Sequence, residues 1–292
     1  MIPLRDTVES RRTPYVTWGL IALNIAVFCY ERSLGAVFLP RFLEGFGLVP
    51  ARFTDPMWTA SASFLPGAAI SILMSMFLHM NWAHLAANLW TLWIFGDNVE
   101  DRMGHARFLL FYFLTGLLAG VVHCLVHPHS TIPAIGASGS IAGVLGAYIL
   151  LFPKSRIVVA IPIGLFFFFA KLPAVFYLLI WIGIQIVSGT MGSLGSESMV
   201  GIAWWAHTGA FLSGVAICRS FLLPAPRPLL RPRFELHWPR LERKWPESNS
   251  LPSHRLSSQG GIAPALSRSV GLRAVSGWRS SPSATSAASP RR

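Results

Sequence analysis

Apolar residues gather into six long runs along the chain, and most of the charge lies between and beyond them. A hydrocarbon core about 30 Å thick takes roughly 20 residues of helix. Runs at about 15–35, 81–97, 106–125, 137–153, 173–189 and 202–222 are each read as a spanning helix. The connection over 36–80 is too apolar for a solvated loop. It carries Phe38, Leu39, Phe42, Leu43, Phe46 and Leu48, then Ile70, Ile72 and Leu73, with breaks at Pro40, Pro50, Pro56 and Pro66. It reads as a membrane-associated loop with short helices, with an irregular seventh span near 62–78 as the alternative. From residue 223 onward Pro, Arg and Ser dominate, and 223–292 is expected to be a disordered basic tail. The expected fold is an all-α polytopic membrane protein with six transmembrane helices over 15–222 and a short N-terminal segment over 1–14.

Composition supports that class. The chain is 53% hydrophobic and 12% charged, where soluble domains carry about 25% charged residues. Its net charge of +12 is uneven, because 13 of the 24 Lys and Arg residues lie from Arg219 onward. The core is therefore not read as a nucleic-acid binder. Near the spans, Arg5, Arg11, Arg12, Arg102, Arg107, Lys154, Arg156, Lys171, Arg219, Arg227, Arg231 and Arg233 fall on one side, against Arg32, Arg41 and Arg52 on the other. The positive-inside rule then puts both termini in the cytoplasm and the start of the fourth span near the outer face of the cell membrane. Cys29, Cys124 and Cys218 form no disulfide or zinc pattern. The N-terminal run lacks a small-residue cleavage site and reads as a retained span.

The fourth run opens with Gly136-Ala137-Ser138-Gly139 and continues with Gly143 and Gly146. On a helix, Gly139, Gly143 and Gly146 make one small-residue strip where another backbone can approach closely. Alone this is a common packing face, and Gly-x-Ser-Gly recurs by chance. Polar groups inside spans are costly and tend to mark function, and here they are few. His84 and Asn88 share a face at the start of the second run, with His79 just ahead of it. In the sixth run His207, Ala210 and Gly214 share a face suited to the small quadrant of the fourth. Serine is a poor nucleophile until a base takes its proton. A neutral imidazole can take that proton and pass it to the leaving amine. No carboxylate lies in the fourth or sixth run, so a Ser138–His207 dyad is the economical form. Asn88, His84 and the Ser138 amide are candidate oxyanion donors. Each also has a packing role open to it, as an interhelical histidine or amide. His123, His127 and His129 read as outer-loop residues. Asp97, Glu100 and Asp101 are expected to pair with Arg102 or Arg107. The chain has no H-E-x-x-H, and no pair of aspartates lies within the spans, which disfavours zinc and aspartyl proteases.

Together, Gly136-Ala137-Ser138-Gly139, Ala206-His207-x-Gly209, His79-x4-His84-x3-Asn88 and the stretch Phe95-Gly96-Asp97-Asn98-Val99-Glu100-Asp101-Arg102-Met103-Gly104 resemble the bacterial rhomboid intramembrane serine proteases. The similarity runs over about 14–222. It implies a six-helix bundle with a water-filled cavity open to the outer side, Ser138 as nucleophile and His207 as general base. It implies Asn88, His84 and the Ser138 amide as oxyanion stabilisers, lateral access between spans two and five, and no cofactor or metal. Substrates would be transmembrane segments of other membrane proteins in the lipid bilayer, cut near their outer ends. Two positions depart from many relatives. Ala210 stands where a glycine is common, which suggests a slightly wider helix spacing. Ala142 stands four past the serine, where an aromatic ring often stacks on the histidine, leaving Trp204, Trp205 or Phe211 to hold His207. The alternative is a catalytically inactive rhomboid-like protein that binds or escorts transmembrane helices. A transporter would need an internal repeat that the sequence lacks.

Overall fold

The computed structural model describes residues 1–55, 68–164, 166–194 and 203–224. The chain divides into a compact unit, Met1–Pro228, and a second unit, Leu229–Arg292. The second unit, and with it nearly all of the expected tail, lies outside the described residues, as do residues 56–67, which include the first part (62–67) of the alternative seventh span. The elements run β1 (Ile2–Asp6), α1 (Tyr15–Ser33), α2 (Gly35–Phe46), α3 (Ala51–Thr54), α4 (Ala68–Ser75), α5 (Trp82–Met103), α6 (His105–Val126), α7 (Ser138–Leu151), β2 (Arg156–Ile163), β3 (Phe166–Pro173), α8 (Ala174–Leu194) and α9 (Trp204–Phe221). Helix α6 and residues Ala174–Gly192 of α8 are long and apolar enough to cross a membrane, and α7 is a shorter apolar helix.

Helix α7 is the centre of the bundle. Every residue from Ser140 to Tyr148 is buried, as expected of a helix that is apolar all round. It packs mainly on α9 and α6, then on α5. Its glycines serve two neighbours. A Cβ on Gly139 would lie 2.6 Å from the Ala119 side chain of α6, and one on Gly143 would run into Thr115. On the α9 side, a Cβ on Gly146 would overlap the carbonyl of Phe211, and one on Gly214 would overlap the carbonyl of Gly143. The α7 and α9 backbones therefore touch, although Ala210 is itself fully buried.

The acidic cluster after the second run does not pair with Arg102 or Arg107. Glu100 instead accepts from the Val16 and Thr17 amides (3.0 and 2.8 Å) and the Thr17 hydroxyl (2.7 Å), and meets His105 Nδ1 at 2.5 Å. Asp101 accepts from the Arg12 amide at 3.1 Å, and Asp97 from the Asn98 amide at 2.7 Å. The reason is local. Pro14 supplies no side-chain cap for α1, and unpaired amides at a helix start attract a carboxylate. Arg107 donates to the Leu222 carbonyl at 2.6 Å. In the first loop, buried Arg52 donates to the Gly45 carbonyl at 2.9 Å and to that of Glu44, closing the C-terminus of α2. The loop also pairs with the segment before α7 through a Leu48–Ala134 bridge.

The fold is mostly helical but not all-α. A three-stranded antiparallel sheet in the order β1-β2-β3 sits beside α5 and α8. Ile2 pairs with Ala160, Asp6 with Ile157, Arg156 with Pro173 and Ile163 with Phe166. The β-branched run Ile157-Val158-Val159, Ile161 and Ile163 favours strand, and Gly164 supplies the positive φ (+60°) for the turn. Ile157 and Val159 are fully buried against the bundle. Asp6 anchors the sheet by accepting from Asn98 of α5 (2.8 Å) and the Tyr148 hydroxyl of α7 (2.5 Å).

Candidate active site

At the opposite end of the bundle, the start of α5 is set by Asn81, whose side chain accepts from the His84 amide at 2.9 Å. This cap fixes the first turn, so His84 and Asn88 project along one face. His79 lies ahead of the helix. Its amide donates to the Glu31 carboxylate (3.2 and 3.3 Å), its Nδ1 lies 3.1 Å from the Phe77 carbonyl, and its ring sits 5.1 Å from that of His84. Glu31, buried near the end of α1, thus ties that helix to the site.

The turn into α7 is made by Gly136. Its φ is +128°, which L side chains rarely adopt, and its amide donates to the Ser75 carbonyl at 2.8 Å. A Cβ there would come within 2.9 Å of the His84 ring. Glycine therefore serves both the dihedral and the close approach. Ser138 is the first residue of α7, so its amide has no partner in the helix ladder.

Ser138 Oγ lies 2.7 Å from His207 Nε2. On the other side of the ring, Nδ1 lies 2.9 Å from Gln185 Oε1 of α8. An amide oxygen only accepts, so Nδ1 carries the proton and Nε2 is left to accept from the serine hydroxyl. Gln185 is buried. Sequence reasoning missed it; the available signal was a lone amide in the apolar fifth run. Trp181 of α8 lies tilted at 6.3 Å from the imidazole, and Trp204 meets it edge-on at 6.5 Å. Phe211 lies tilted against Trp181 at 6.1 Å.

Beside the pair is a cavity of about 50 Å³, with Ser138, Gly139, Gly116, Gly120, Ala206 and His123 in its wall. A water needs about 10–15 Å³ of such space, so the cavity has room for several waters or a small side chain. His123 is a buried helical residue of α6, not a loop residue, and its Nδ1 has no hydrogen-bond partner among the described residues. Asn88 is also buried, and its Nδ2 has no partner among them either. Among the described residues no group of three His, Cys, Asp or Glu side chains is placed to hold a metal ion.

Comparison with known proteins gives a match to the family model described as Rhomboid domain over residues 66–223. The chain is 37% identical over 143 residues to Rhomboid protease GluP of Bacillus subtilis, which covers 49% of this chain and 26% of that protein. It is 30% identical over 150 residues to Rhomboid protein 1, mitochondrial, of Saccharomyces cerevisiae, covering 49% of this chain and 38% of that one. It is 30% identical over 147 residues to the human Presenilin-associated rhomboid-like protein, mitochondrial, covering 48% and 34% respectively. The matched stretch thus spans from about a quarter to two-fifths of the length of these relatives.

Proposed function

The chain belongs to the rhomboid family, and we propose on that premise that it is an intramembrane serine endopeptidase acting through Ser138 and His207. The observation that carries the reading is the 2.7 Å contact between Ser138 Oγ and His207 Nε2, with Nδ1 held by Gln185. In the reaction, Ser138 Oγ attacks the scissile carbonyl carbon as its proton passes to His207 Nε2. The tetrahedral oxyanion is met by Asn88 Nδ2–H, a His84 ring N–H and the Ser138 amide at the positive end of α7. His207 then gives its proton to the departing amine, leaving an acyl ester on Ser138. A water, deprotonated by His207, attacks that ester; the acyl–Oγ bond breaks, His207 returns the proton to Ser138 Oγ, and the new carboxyl end is released. The unpaired Nδ2 of Asn88 supports the oxyanion role, because a buried donor without a partner is costly unless a ligand uses it.

The substrates proposed are transmembrane segments of other membrane proteins. Helices α1, α5, α6, α7, α8 and α9 are the six spans, with both termini cytoplasmic and the site opening to the outer face of the cell membrane. Helix α8 packs chiefly on α9, and a Phe95–Tyr177 ring contact joins it to α5 on the side away from the site. That arrangement supports lateral access between α5 and α8. The small walls of the cavity favour a small residue at the cut, where the substrate helix must unwind to expose its peptide bond.

The test is reaction of the purified chain, in vesicles, with a fluorophosphonate probe and a fluorogenic transmembrane substrate. Labelling and cleavage are expected for the wild type, and both fall to background in Ser138→Ala and His207→Ala. A folded wild type that neither labels nor cleaves would leave the chain as a rhomboid-like helix binder.

A further inference from the structure

The β2–β3 hairpin extends beyond the three-stranded sheet. Pairing with β1 stops at Ala160, opposite Ile2, while β2 and β3 continue to Ile163 and Phe166. This extension is apolar on both faces. Cross-strand partners share a face and neighbours alternate, so Ile161, Ile163, Phe166 and Phe168 line one side, and Pro162, Phe167 and Phe169 the other. Phe166 is 80% exposed, and Phe167, Phe168 and Phe169 are 59%, 60% and 63% exposed. A two-stranded ribbon facing water would keep polar residues on at least one side.

The course of the sheet along the helices gives the surroundings of this tip. Asp6 sits at Asn98, whereas the Pro3 carbonyl accepts from Trp90 Nε1 at 2.6 Å, eight residues back along α5 toward the Ser138 end. Strand β1 therefore climbs the flank of α5 from the basic end of the bundle. The hairpin, antiparallel to β1 and longer, climbs further. Its base carries exposed Lys154, Arg156 and Lys171, and β3 runs directly into α8, whose first turns expose Phe176 and Leu179. Apolar tip, basic base and continuity with an apolar helix flank form a layered pattern. Basic residues at the base complement anionic headgroups, and the phenylalanines above them suit acyl chains.

We propose that the β2–β3 hairpin is a membrane anchor, with Phe166, Phe167, Phe168 and Phe169 among the acyl chains of the leaflet nearest the basic end and Lys154, Arg156 and Lys171 at its headgroups. This rests on membership of the rhomboid family and is independent of whether the chain cleaves anything. Phe167→Cys and Phe168→Cys, on opposite faces of the ribbon, are spin-labelled in the full chain with its three native cysteines replaced by alanine. Both are reconstituted in vesicles of phosphatidylcholine and phosphatidylglycerol, with Lys154→Cys as the aqueous reference. The ratio of collision with oxygen to collision with a water-soluble nickel chelate is expected to be several-fold higher at 167 and 168 than at 154. Equal ratios at all three sites would place the tip in water and overturn the proposal. Low nickel access accompanied by spin–spin broadening that vanishes on dilution with unlabelled protein would assign the tip to a second copy of the chain, which also overturns it. If the cysteine variants do not fold, the wild type is irradiated in vesicles whose phosphatidylglycerol carries a diazirine on the acyl chain. Adducts within 161–169 are then expected, and their absence while α8 is labelled would overturn the proposal.

Discussion

A histidine serves as a base only while the nitrogen facing its nucleophile is unprotonated, so the group behind it matters. Here that group is Gln185, whose Oε1 lies 2.9 Å from His207 Nδ1. It holds the tautomer with no charge, in a place where a buried carboxylate would need costly desolvation. Gln185→Leu keeps the bulk and removes the acceptor. The expected result is a kcat about tenfold lower with KM unchanged, the size of one neutral hydrogen bond lost at the transition state. Gln185→Glu restores an acceptor at the same reach, against the desolvation of its charge, and should recover part of that loss. A purely packing role would give the opposite order, with the isosteric leucine harmless. Kinetics of the fluorogenic substrate in vesicles decide between them. The sequence pointed to Ser138, His207, His84 and Asn88 because each polar residue stood out within an apolar run. Gln185 stood out in the same way but has no neighbour in sequence that makes it part of a motif. Its place beside His207 arises only when α8 packs on α9, 22 residues apart along the chain.

Helix α7 brings the site together because it is narrow. Glycine at 139, 143 and 146 was legible as a close-packing strip, and so was the matching Gly214 on α9. That the strip divides between α6 and α9 was not, since a helical wheel gives the face but not which neighbour occupies each part of it. A Cβ on Gly214 would overlap a backbone carbonyl, which cannot move aside as a side-chain tip can. Gly214→Ala is therefore expected to destabilise the fold by about 1–3 kcal/mol, the usual range for overpacking, and to lower the thermal midpoint in detergent. Gly183, on α8, has nothing within 4 Å of the corresponding position. Gly183→Ala is expected to leave the midpoint unchanged or raise it, as alanine is the better helix former. Equal losses from the two substitutions would count against backbone contact as the feature that joins α7 to α9. The acidic stretch in the last turns of α5 was misjudged for a related reason. Nearby arginines in sequence were the obvious partners for Glu100, but the uncapped start of α1 lies closer in space.

On the scale of the whole molecule, one end of the bundle is closed by residues that lie far apart in sequence. β1 and β2 pair across more than 140 residues of intervening chain, and no local periodicity reports such a pairing. The β-branched run from Ile157 to Ile163 is the sign the sequence carries, but a short apolar run does not by itself name its partner strand. Closure depends on Asp6, which joins β1 to α5 and α7 through Asn98 and Tyr148. Burial pushes the Asp6 carboxyl above the usual carboxylate value, and the bonds from Tyr148 and the Val8 and Asp6 amides offset only part of that shift. A carboxyl whose pKa is raised by folding stabilises the folded state while it is protonated, and that stability is lost as pH rises through the folded-state value. Stability from this site is thus fully present below the ordinary aspartate value and declines above it. Asp6→Asn keeps an acceptor for Tyr148 and cannot ionise, so it serves as the reference. The thermal midpoint of the wild type, taken relative to Asp6→Asn, should fall as pH rises from about 4, an ordinary carboxylate value, and level off once Asp6 is fully ionised. A difference independent of pH would mean that Asp6 titrates as it does in the unfolded chain, and that the sheet is held to the bundle by the packing of Ile157 and Val159 and not by its half-buried carboxyl.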